Sequence, residues 1–470
     1  MEISKTRKKR FLKKSLLSIL SFSVMTVGLA ACGSTEDPKE TPKVSSPVAK
    51  TKLTYWTAGR HDADYIKSKI DNFNSTNKDN IEVEMTVMAE NFAQSLDLSF
   101  ASGQSPDVFS LGDLVDFYNK GYVEPLDAFL NPEYKSRFGN GFVDGANVIN
   151  GKIYTLPATG STIRLIYNVD LLQKAGIQSP PKTLNELVDA AKKITNIGKK
   201  DGVYGFALPY KNASSALSRS AAAIAEVTGT LAQGYNFRTG KYDFTGYKPI
   251  IEAFKTMKAN GSTLPGSESL DIDPLRAQFA EGKIGMYLSY SVEPGVYKNQ
   301  FPAKAKWDAA PIPTIDGTYK GVFNLGVGAS RWLAMSSKSV KKEAAWKFLS
   351  YMYGDEVLTG YQEQGLGLSV VPSIAAKAGK PEIAGMQNFL PTQYDGIWPV
   401  PPQGLKPEGR TQYEEFVKYI LEGGDLDKII SDLNTRYNAA LEKEVAAGKM
   451  KATIIPDFDP IKLQGSMIKK

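Results

Sequence analysis

The chain has 470 residues, 42% of them apolar and 23% charged, and this composition indicates a globular protein long enough for two cored domains. The net charge of +7 does not indicate a nucleic-acid partner, because residues 1–31 carry seven basic side chains against the single acidic Glu2. The rest of the chain is nearly neutral. His61 is the only histidine, which argues against a His-rich metal site and a histidine-dependent triad.

The first 31 residues have the parts of an export signal. A basic run, Lys5–Lys14, precedes the apolar stretch Leu16–Leu29, which is too short for a comfortable bilayer span. It closes with Leu29-Ala-Ala-Cys32, which resembles the lipobox of bacterial lipoproteins. Cys32 is the only cysteine, so no internal disulfide can account for it. We therefore predict a lipoprotein signal peptide over 1–31 and lipidation of Cys32 (palmitate included), with an uncleaved anchor as the alternative.

A flexible tether is expected over residues 32–50. From Gly33 to Lys50 the chain holds three prolines and almost no large apolar side chain. Such a segment cannot bury enough apolar surface to fold, so it would act as a spacer between the membrane and the folded region.

The folded region begins with strands and helices in alternation. The predicted elements are a strand at Lys52–Trp56, a helix through Phe73, a strand at Ile81–Val87, a helix over Glu90–Ser102 and a strand near Ser105–Asp113. This order predicts a parallel, doubly wound sheet. Sites in such sheets lie beyond the carboxyl ends of the strands, so the turns at 57–61 and 110–113 should be neighbours on one rim.

The stretch Gly151–Leu172 is where the chain is expected to change lobes. Two extended apolar runs, Ile153–Leu156 and Ile163–Tyr167, flank the small-residue segment Pro157–Thr162. This pattern fits a hinge crossing, and a simple hairpin has the same local pattern.

A second α/β unit follows the crossing. Its predicted elements are a helix opened by a capping box at Thr183 and Glu186, a strand at Tyr204–Leu208, helices at Pro249–Ala259 and Pro274–Ala280, and a strand ending at Tyr290. A second glycine-rich passage, Asn324–Met335, and helices over Lys341–Met352, Thr411–Glu422 and Asp425–Ala447 complete the chain. We therefore predict a two-lobed α/β protein. Lobe 1 would span 51–160 and 328–375, lobe 2 would span 161–327 and 376–455, and 456–470 would be a C-terminal tail.

Several blocks of sequence resemble the extracellular solute-binding proteins (family 1) of bacterial sugar ABC transporters. The resemblance is carried by the crossing at 151–172 and by Ser105–Phe109, Phe279–Met286, Lys338–Met352 and Leu426–Asn434. It implies a periplasmic-binding-protein-like fold, in which two doubly wound, mainly parallel sheets are joined by hinge crossings. It also implies a monomer, without a cofactor or a metal, that closes on a saccharide, expected to be an oligosaccharide. The partners would be the permease subunits and, through Cys32, the outer face of a Gram-positive-like cell membrane.

A saccharide site needs planar polar side chains for directional hydrogen bonds and aromatic rings for stacking. The candidate ligand-binding residues on the predicted rims and crossings are Trp56, Arg60, His61, Asp113, Ser161, Arg164, Tyr290, Glu293, Arg331, Trp332 and Trp398. The resemblance places Arg60, His61 and Asp113 at positions that contact ligand in the family. The alternatives are a solvated turn for the first two and a helix cap for Asp113. Trp56 could equally be a core or domain-interface ring.

Two of these candidates carry the most specific expectations. An arginine at position 164 departs from the small residue more common in the family and points to an acidic ligand or to vicinal hydroxyls, with an interlobe salt bridge as the alternative. Trp398 resembles the family's stacking tryptophan of the second lobe, and the prolines around it would hold its ring in place. It is the strongest single candidate for a ligand platform, and its alternative is a core ring.

Two other functions are compatible with the sequence. Asp113 and Glu293 on opposing rims could be the acid and nucleophile of a glycan-acting surface enzyme. No nucleophile elbow, P-loop or metal-ligand spacing supports that interpretation. A surface lipoprotein with no transport role would not need two glycine-bearing crossings. We therefore predict a binding protein and not an enzyme.

Overall fold

The computed structural model describes residues 49–88, 91–112, 114–325, 333–379 and 381–463. The predicted signal peptide and Cys32 lie outside the described residues, as do Asp113, Arg331 and Trp332. Over the described ranges, no helix combines the length and the apolar character needed to cross a bilayer.

Among the described residues, strands longer than two residues occur only in the two central sheets. The strands are β1 (Thr51–Thr57), β2 (Ile81–Val87), β3 (Val108–Ser110), β4 (Val148–Ile149), β5 (Lys152–Ile153), β6 (Thr159–Gly160), β7 (Ile163–Asn168), β8 (Tyr204–Phe206), β9 (Tyr235–Asn236), β10 (Lys241–Tyr242), β11 (Ile284–Tyr290), β12 (Trp307–Ala310), β13 (Phe323–Asn324), β14 (Leu333–Met335), β15 (Leu368–Ser369) and β16 (Asp395–Gly396).

The predicted helices are present, together with others that the sequence analysis did not predict. They are α1 (Ala63–Thr76), α2 (Phe92–Ala101), α3 (Leu114–Asn119), α4 (Pro132–Ser136), α5 (Val169–Lys174), α6 (Leu184–Gly198), α7 (Ala213–Leu217), α8 (Ala223–Val227), α9 (Lys248–Ala259), α10 (Ile272–Ala280), α11 (Glu293–Asn299), α12 (Lys342–Met352), α13 (Asp355–Glu363), α14 (Pro372–Lys377), α15 (Gln412–Glu422) and α16 (Leu426–Ala446). The capping box predicted at Thr183 and Glu186 is present at the start of α6.

Lobe 1 is built on a sheet with the strand order β14-β3-β1-β2. β1 runs parallel to β2 and β3, and β14 is the one antiparallel strand of this sheet. The turns after β1 and β3 meet as predicted, since the Ala58 amide donates a 3.2 Å hydrogen bond to Ser110 Oγ. α1 and α12 cover one face, where Tyr55 and Phe348 pack with their ring centres 5.9 Å apart.

Lobe 2 is built on a sheet with the strand order β12-β7-β11-β8. Only β8 and β11 are parallel, and β7 runs antiparallel to both of its neighbours, so this sheet is less parallel than the sequence predicted. β7 enters the sheet from the crossing at the end where β11 leaves it, as the pairing of Ile163 with Tyr290 shows. A strand that enters at that end must run against β11.

The stretch around 159–163 is a crossing and not a hairpin. β7 pairs with β11 and β12 in lobe 2, whereas the preceding β5 pairs only with β4 in lobe 1. Between them, β6 pairs with β15, and the Ser161 amide donates a 2.7 Å hydrogen bond to the Leu325 carbonyl of the second passage. The chain therefore changes lobes here, with neighbouring passages hydrogen-bonded to each other.

Each lobe has its own apolar core. In lobe 1, buried side chains from 53–158 and 333–374 pack together. In lobe 2, buried side chains from 163–323 and 386–458 pack together, and Leu368 of β15 also packs in this core. The lobe 2 core extends into the segment predicted as a tail, because Phe458 is 6% exposed and packs 4.9 Å from the ring centre of Phe237.

Candidate functional site

Two adjoining hollows lie between the lobes and are here called the interlobe groove. They have volumes of about 720 and 530 Å³ and share Pro402, Gln403 and Gly404. Lobe 1 contributes Val115, Asp116, Tyr118, Asn119, Lys120, Asp144, Ile149 and Asn150, and lobe 2 contributes Gln233, Tyr242, the segment 400–407, Thr411, Gln412, Tyr437 and residues 444–453 near the end of α16. Each hollow is as large as the pockets that hold drug-sized ligands.

α3 forms the lobe 1 wall of the groove. Leu114 and Phe117, three positions apart, are buried in the lobe 1 core and fix the orientation of this short helix. Tyr118 lies on the groove side, and its ring packs edge-on against Tyr154 with the centres 5.4 Å apart. Its hydroxyl accepts a 3.3 Å hydrogen bond from Asn150 Nδ2. An aromatic ring is thus held in place beside an amide.

The lobe 2 wall consists of the proline-rich segment before α15 and the start of that helix. Gln403 donates from Nε2 to the Pro401 carbonyl over 2.7 Å, which fixes its amide at the groove. Gly404 adopts φ +75°, and a Cβ built there would lie 3.7 Å from Val115 Cγ1 of lobe 1. The backbone N–H of Gln412 donates to Tyr437 Oη over 3.1 Å, and that hydroxyl donates to the side-chain Oε1 of Gln412. Planar polar groups and tyrosines therefore face α3 across the groove.

The cation next to α3 is already neutralised by the protein. Lys120 Nζ lies 2.8 Å from Asp116 and 3.0 Å from Asp97. The hydrogen bond from Lys120 to Asp116, together with the bond to Asp97, raises the pKa of the Lys120 ammonium despite some burial. Lys120 is therefore not an unpaired cation for an acidic ligand, and this part of the wall presents aromatic and amide groups instead.

Away from the groove, the lobes also meet at a chain of four charged residues, here called the rim network. Arg60 Nη2, in the turn after β1, lies 3.0 Å from Asp273 Oδ2 on α10. Asp273 Oδ1 accepts a 3.0 Å bond from Arg276 Nη1, and Arg276 also binds both oxygens of Glu293. Glu293 is 0% exposed. The network therefore runs from the surface of lobe 1 to the interior of lobe 2.

The structure places Trp398 in the lobe 2 core and not at the groove. Its side chain is 1% exposed, and its ring centre lies 5.4 Å from that of Phe458 and 6.4 Å from that of Phe237. Its indole nitrogen donates to the Val322 carbonyl over 2.8 Å. A ring covered on all sides has no face for a sugar, so the alternative interpretation, a core ring, describes this placement.

Arg164 is likewise committed to protein acceptors. Its guanidinium is 5% exposed and binds both carboxylate oxygens of Asp395, at 3.0 and 2.8 Å. It also donates to the carbonyls of Ile163, Asn388 and Leu390. The salt bridge joins two parts of lobe 2 and does not cross between the lobes. This placement gives no support to an acidic ligand bound at Arg164.

The other described candidates do not line the groove. Trp56 is half-buried against the core around Phe109. His61 Nε2 lies 3.4 Å from the Tyr361 hydroxyl, near the hinge. The half-buried ring of Tyr290 lies 5.2 Å from the guanidinium carbon of Arg219.

The sequence analysis did not predict the residues that form the groove, and it did not predict Arg219 of lobe 2. A π-helical turn, Ser218–Ala222, interrupts the helical run from α7 to α8, and it carries the buried Arg219 whose Nη1 donates to Ser289 Oγ over 2.9 Å. No local residue pattern predicts such a π-helical turn. Tyr118 could have been found, since the buried pair Leu114 and Phe117 predicts which face of α3 is exposed.

Among the residues that the structure describes, no group of three or more His, Cys, Asp or Glu side chains is placed so that it could hold a metal ion.

Comparison with solved structures supports the fold. RafE bound to raffinose superposes with a TM-score of 0.62 at 20% identity, over 83% of this chain and 100% of that one. The sugar-binding protein MalE from Xanthomonas citri gives a TM-score of 0.62 at 19% identity, over 85% and 99% of the two chains. The predicted two-lobed, periplasmic-binding-protein-like fold is confirmed.

Comparison with known sequences identifies the family. A relative from Brucella abortus is 30% identical over 262 residues, which are 55% of this chain and 61% of the relative, so the match spans about three fifths of that protein. The maltodextrin-binding protein MdxE of Bacillus subtilis is 27% identical over 412 residues, 83% of this chain and 88% of MdxE. The family model for bacterial extracellular solute-binding proteins matches residues 58–358. The chain therefore belongs to the bacterial extracellular solute-binding protein family.

Proposed function

We propose that this protein captures an uncharged oligosaccharide in the interlobe groove and delivers it to an ABC transporter. The observation that carries the proposal is the lining of the groove, where Tyr118 of lobe 1 shares one hollow with Gln403, and Gln403 shares the adjoining hollow with Gln412 and Tyr437 of lobe 2. Rings stack on the C–H faces of sugars, and fixed amides make directional bonds to their hydroxyls. A groove with one wall on each lobe also allows closure to enclose the ligand.

The names of several relatives support a saccharide. MdxE is a maltodextrin-binding protein, the Streptomyces coelicolor relative DasA binds diacetylchitobiose, and RafE was solved with raffinose. On the lobe 1 wall an uncharged ligand fits the neutralised cation, because Lys120 is matched by Asp97 and Asp116.

The test is calorimetric titration with maltotriose, maltodextrin, diacetylchitobiose, raffinose and an acidic oligosaccharide. We expect a neutral oligosaccharide to bind, and at a hundred times its Kd to add about 2.7 kcal/mol to the free energy of unfolding. Small-angle scattering should show a smaller radius of gyration with the bound sugar, because the lobes close about the crossings. Binding of none of these sugars, or of the acidic one alone, would contradict the proposal.

The enzyme alternative has little structural support. Glu293 is fully buried and held by Arg276 and by Ser289 Oγ at 2.7 Å, so its carboxylate cannot approach a substrate as this site stands. Incubation with the bound oligosaccharide should return it intact. Shortened products in a chromatogram, absent from a heat-inactivated control, would favour an enzyme.

Anchoring and transport complete the proposal. The basic and apolar leader and Cys32 support a lipoprotein held at the outer face of the membrane. The wild type should incorporate labelled palmitate and fractionate with membranes, and a Cys32→Ala variant should incorporate no label. An unlabelled wild type, or a labelled Cys32→Ala variant, would contradict lipidation at Cys32. Deletion of the gene should abolish uptake of the bound sugar.

A further inference from the structure

The contact between Arg60 and Asp273 joins the two lobes directly. Arg60 belongs to the turn between β1 and α1, and Asp273 to the first turn of α10 in lobe 2, 213 residues away along the chain. If the lobes part about the crossings at 159–161 and 325, this ion pair breaks, so it belongs to the arrangement in which the lobes lie together as in this structure.

Both partners are held in position by their own lobes before they meet. On the lobe 1 side, the turn is fixed by the 3.0 Å bond from the Gly59 amide to Thr57 Oγ1 and by the bond from Ala58 to Ser110. On the lobe 2 side, Arg276 grips Asp273 Oδ1 and is itself fixed by the buried Glu293, which leaves Asp273 Oδ2 for Arg60. Little side-chain freedom remains for Asp273 to lose when Arg60 arrives.

We propose that Arg60 and Asp273 form an interlobe latch, and that Arg60 raises ligand affinity by favouring the closed arrangement of the lobes without touching the ligand. The inference rests on the proposed function, since it assumes that closure accompanies binding. A ligand that binds the closed form sees its apparent Kd divided by the fraction of protein that is closed. A bond made only in the closed form raises that fraction, and the apparent Kd falls in proportion to the rise.

The expected factor is small, because the Arg60 and Asp273 side chains are 59% and 33% exposed. Exposed ion pairs contribute little, which corresponds to about a twofold to fivefold change in Kd. Salt screens such a pair, so the difference between the wild type and an Arg60 variant should shrink as ionic strength rises.

A double-mutant cycle tests the latch. Arg60→Gln and Asp273→Asn should each weaken binding of the tightest sugar by a similar factor, and the double variant should be no weaker than either single variant. Arg60→Lys should retain part of the effect, because it keeps the charge. Lys67→Gln is the matched control, since Lys67 pairs with Asp71 at 2.7 Å within α1 and crosses no lobe boundary. It should bind like the wild type.

Small-angle scattering of the ligand-free protein tests the latch without any sugar, because it measures the radius of gyration directly. At low salt the Arg60→Gln variant should have a larger radius of gyration than the wild type and the Lys67→Gln control. A loss of affinity for Arg60→Gln with none for Asp273→Asn, or additive losses in the double variant, would show that Arg60 contacts the ligand and would overturn the latch. Unchanged scattering and affinity in all variants would also overturn it. If no sugar binds the wild type, the proposed function fails, and the scattering result still decides the latch.

Discussion

The region around Trp398 and the interlobe groove look alike in composition and differ in what covers them. Both combine aromatic rings with prolines and polar groups, and they lie within a few residues of each other along the chain. Trp398 is sealed by Phe237 and Phe458, whereas Tyr118 and Gln403 face each other across open space. Local residue types therefore predict that an aromatic ring is packed in place. Whether the ring is exposed to a ligand depends on neighbours from distant parts of the chain.

The largest expected effect comes from removing the covered ring. Trp398→Ala should lower the free energy of unfolding by about 3–5 kcal/mol, because it leaves a cavity in the lobe 2 core and strands the Val322 carbonyl. Denaturant titration measures this, with Trp398→Phe as a milder control. A variant with wild-type stability that no longer binds sugar would reverse the comparison and restore Trp398 as a ligand platform.

A pH effect of intermediate size should arise beside the same core. Glu226 accepts a 2.8 Å bond from the Asn324 amide, and burial raises the pKa of its carboxyl from 4.5 to about 8. The folded state therefore holds a proton that the unfolded state has released between these values. The stability contributed by this group is complete below about pH 4.5 and declines as pH rises towards 8.

Glu226→Gln should remove that slope, on the order of a few kcal/mol across the window, since one pKa unit corresponds to about 1.4 kcal/mol. Unfolding free energies measured from pH 5 to 8 test the prediction, with the exposed Glu133→Gln as a control. Parallel pH profiles for the wild type and the Glu226 variant would show that the carboxyl is ionised in the fold.

Of the three side chains, Tyr118, the uncovered ring, is expected to affect stability least and sugar binding most. Tyr118→Ala should weaken sugar affinity about tenfold, or roughly 1.4 kcal/mol, through loss of a stacking surface. Its free energy of unfolding should change much less than that of Trp398→Ala, because Tyr118 is only half-buried. Tyr118→Phe should bind nearly as well as the wild type. Unchanged affinity in Tyr118→Ala would move the ligand out of the groove.

Local sequence signals predicted most of the fold. Helix caps and periodicity placed the start of α6 and both ends of α12, α15 and α16 to within a residue, and the glycine-bearing stretch at 157–162 marked the crossing. These features depend on neighbours a few positions away, which is why a single sequence reveals them.

The candidate site was much less predictable, because it depends on partners far along the chain. Arg164 is buried only because Asp395, 231 residues later, lies beside it. The same holds for Arg60, whose partner is Asp273. No local pattern links such residues, so the sequence could propose Arg164 and Arg60 as ligand donors but could not show that protein carboxylates already occupy them.

The discontinuity of both lobes governs how this chain reaches its folded state. Tyr55 finds Phe348 in lobe 1, and Arg238 donates to the Phe458 carbonyl in lobe 2 across 220 positions. Closing such long loops costs entropy before any contact repays it, and topologies rich in distant contacts fold slowly. During synthesis from the amino end, neither lobe can be completed until the segments after 340 and 450 have emerged. The repeated passage of the chain through the hinge therefore delays completion of both apolar cores until late in synthesis.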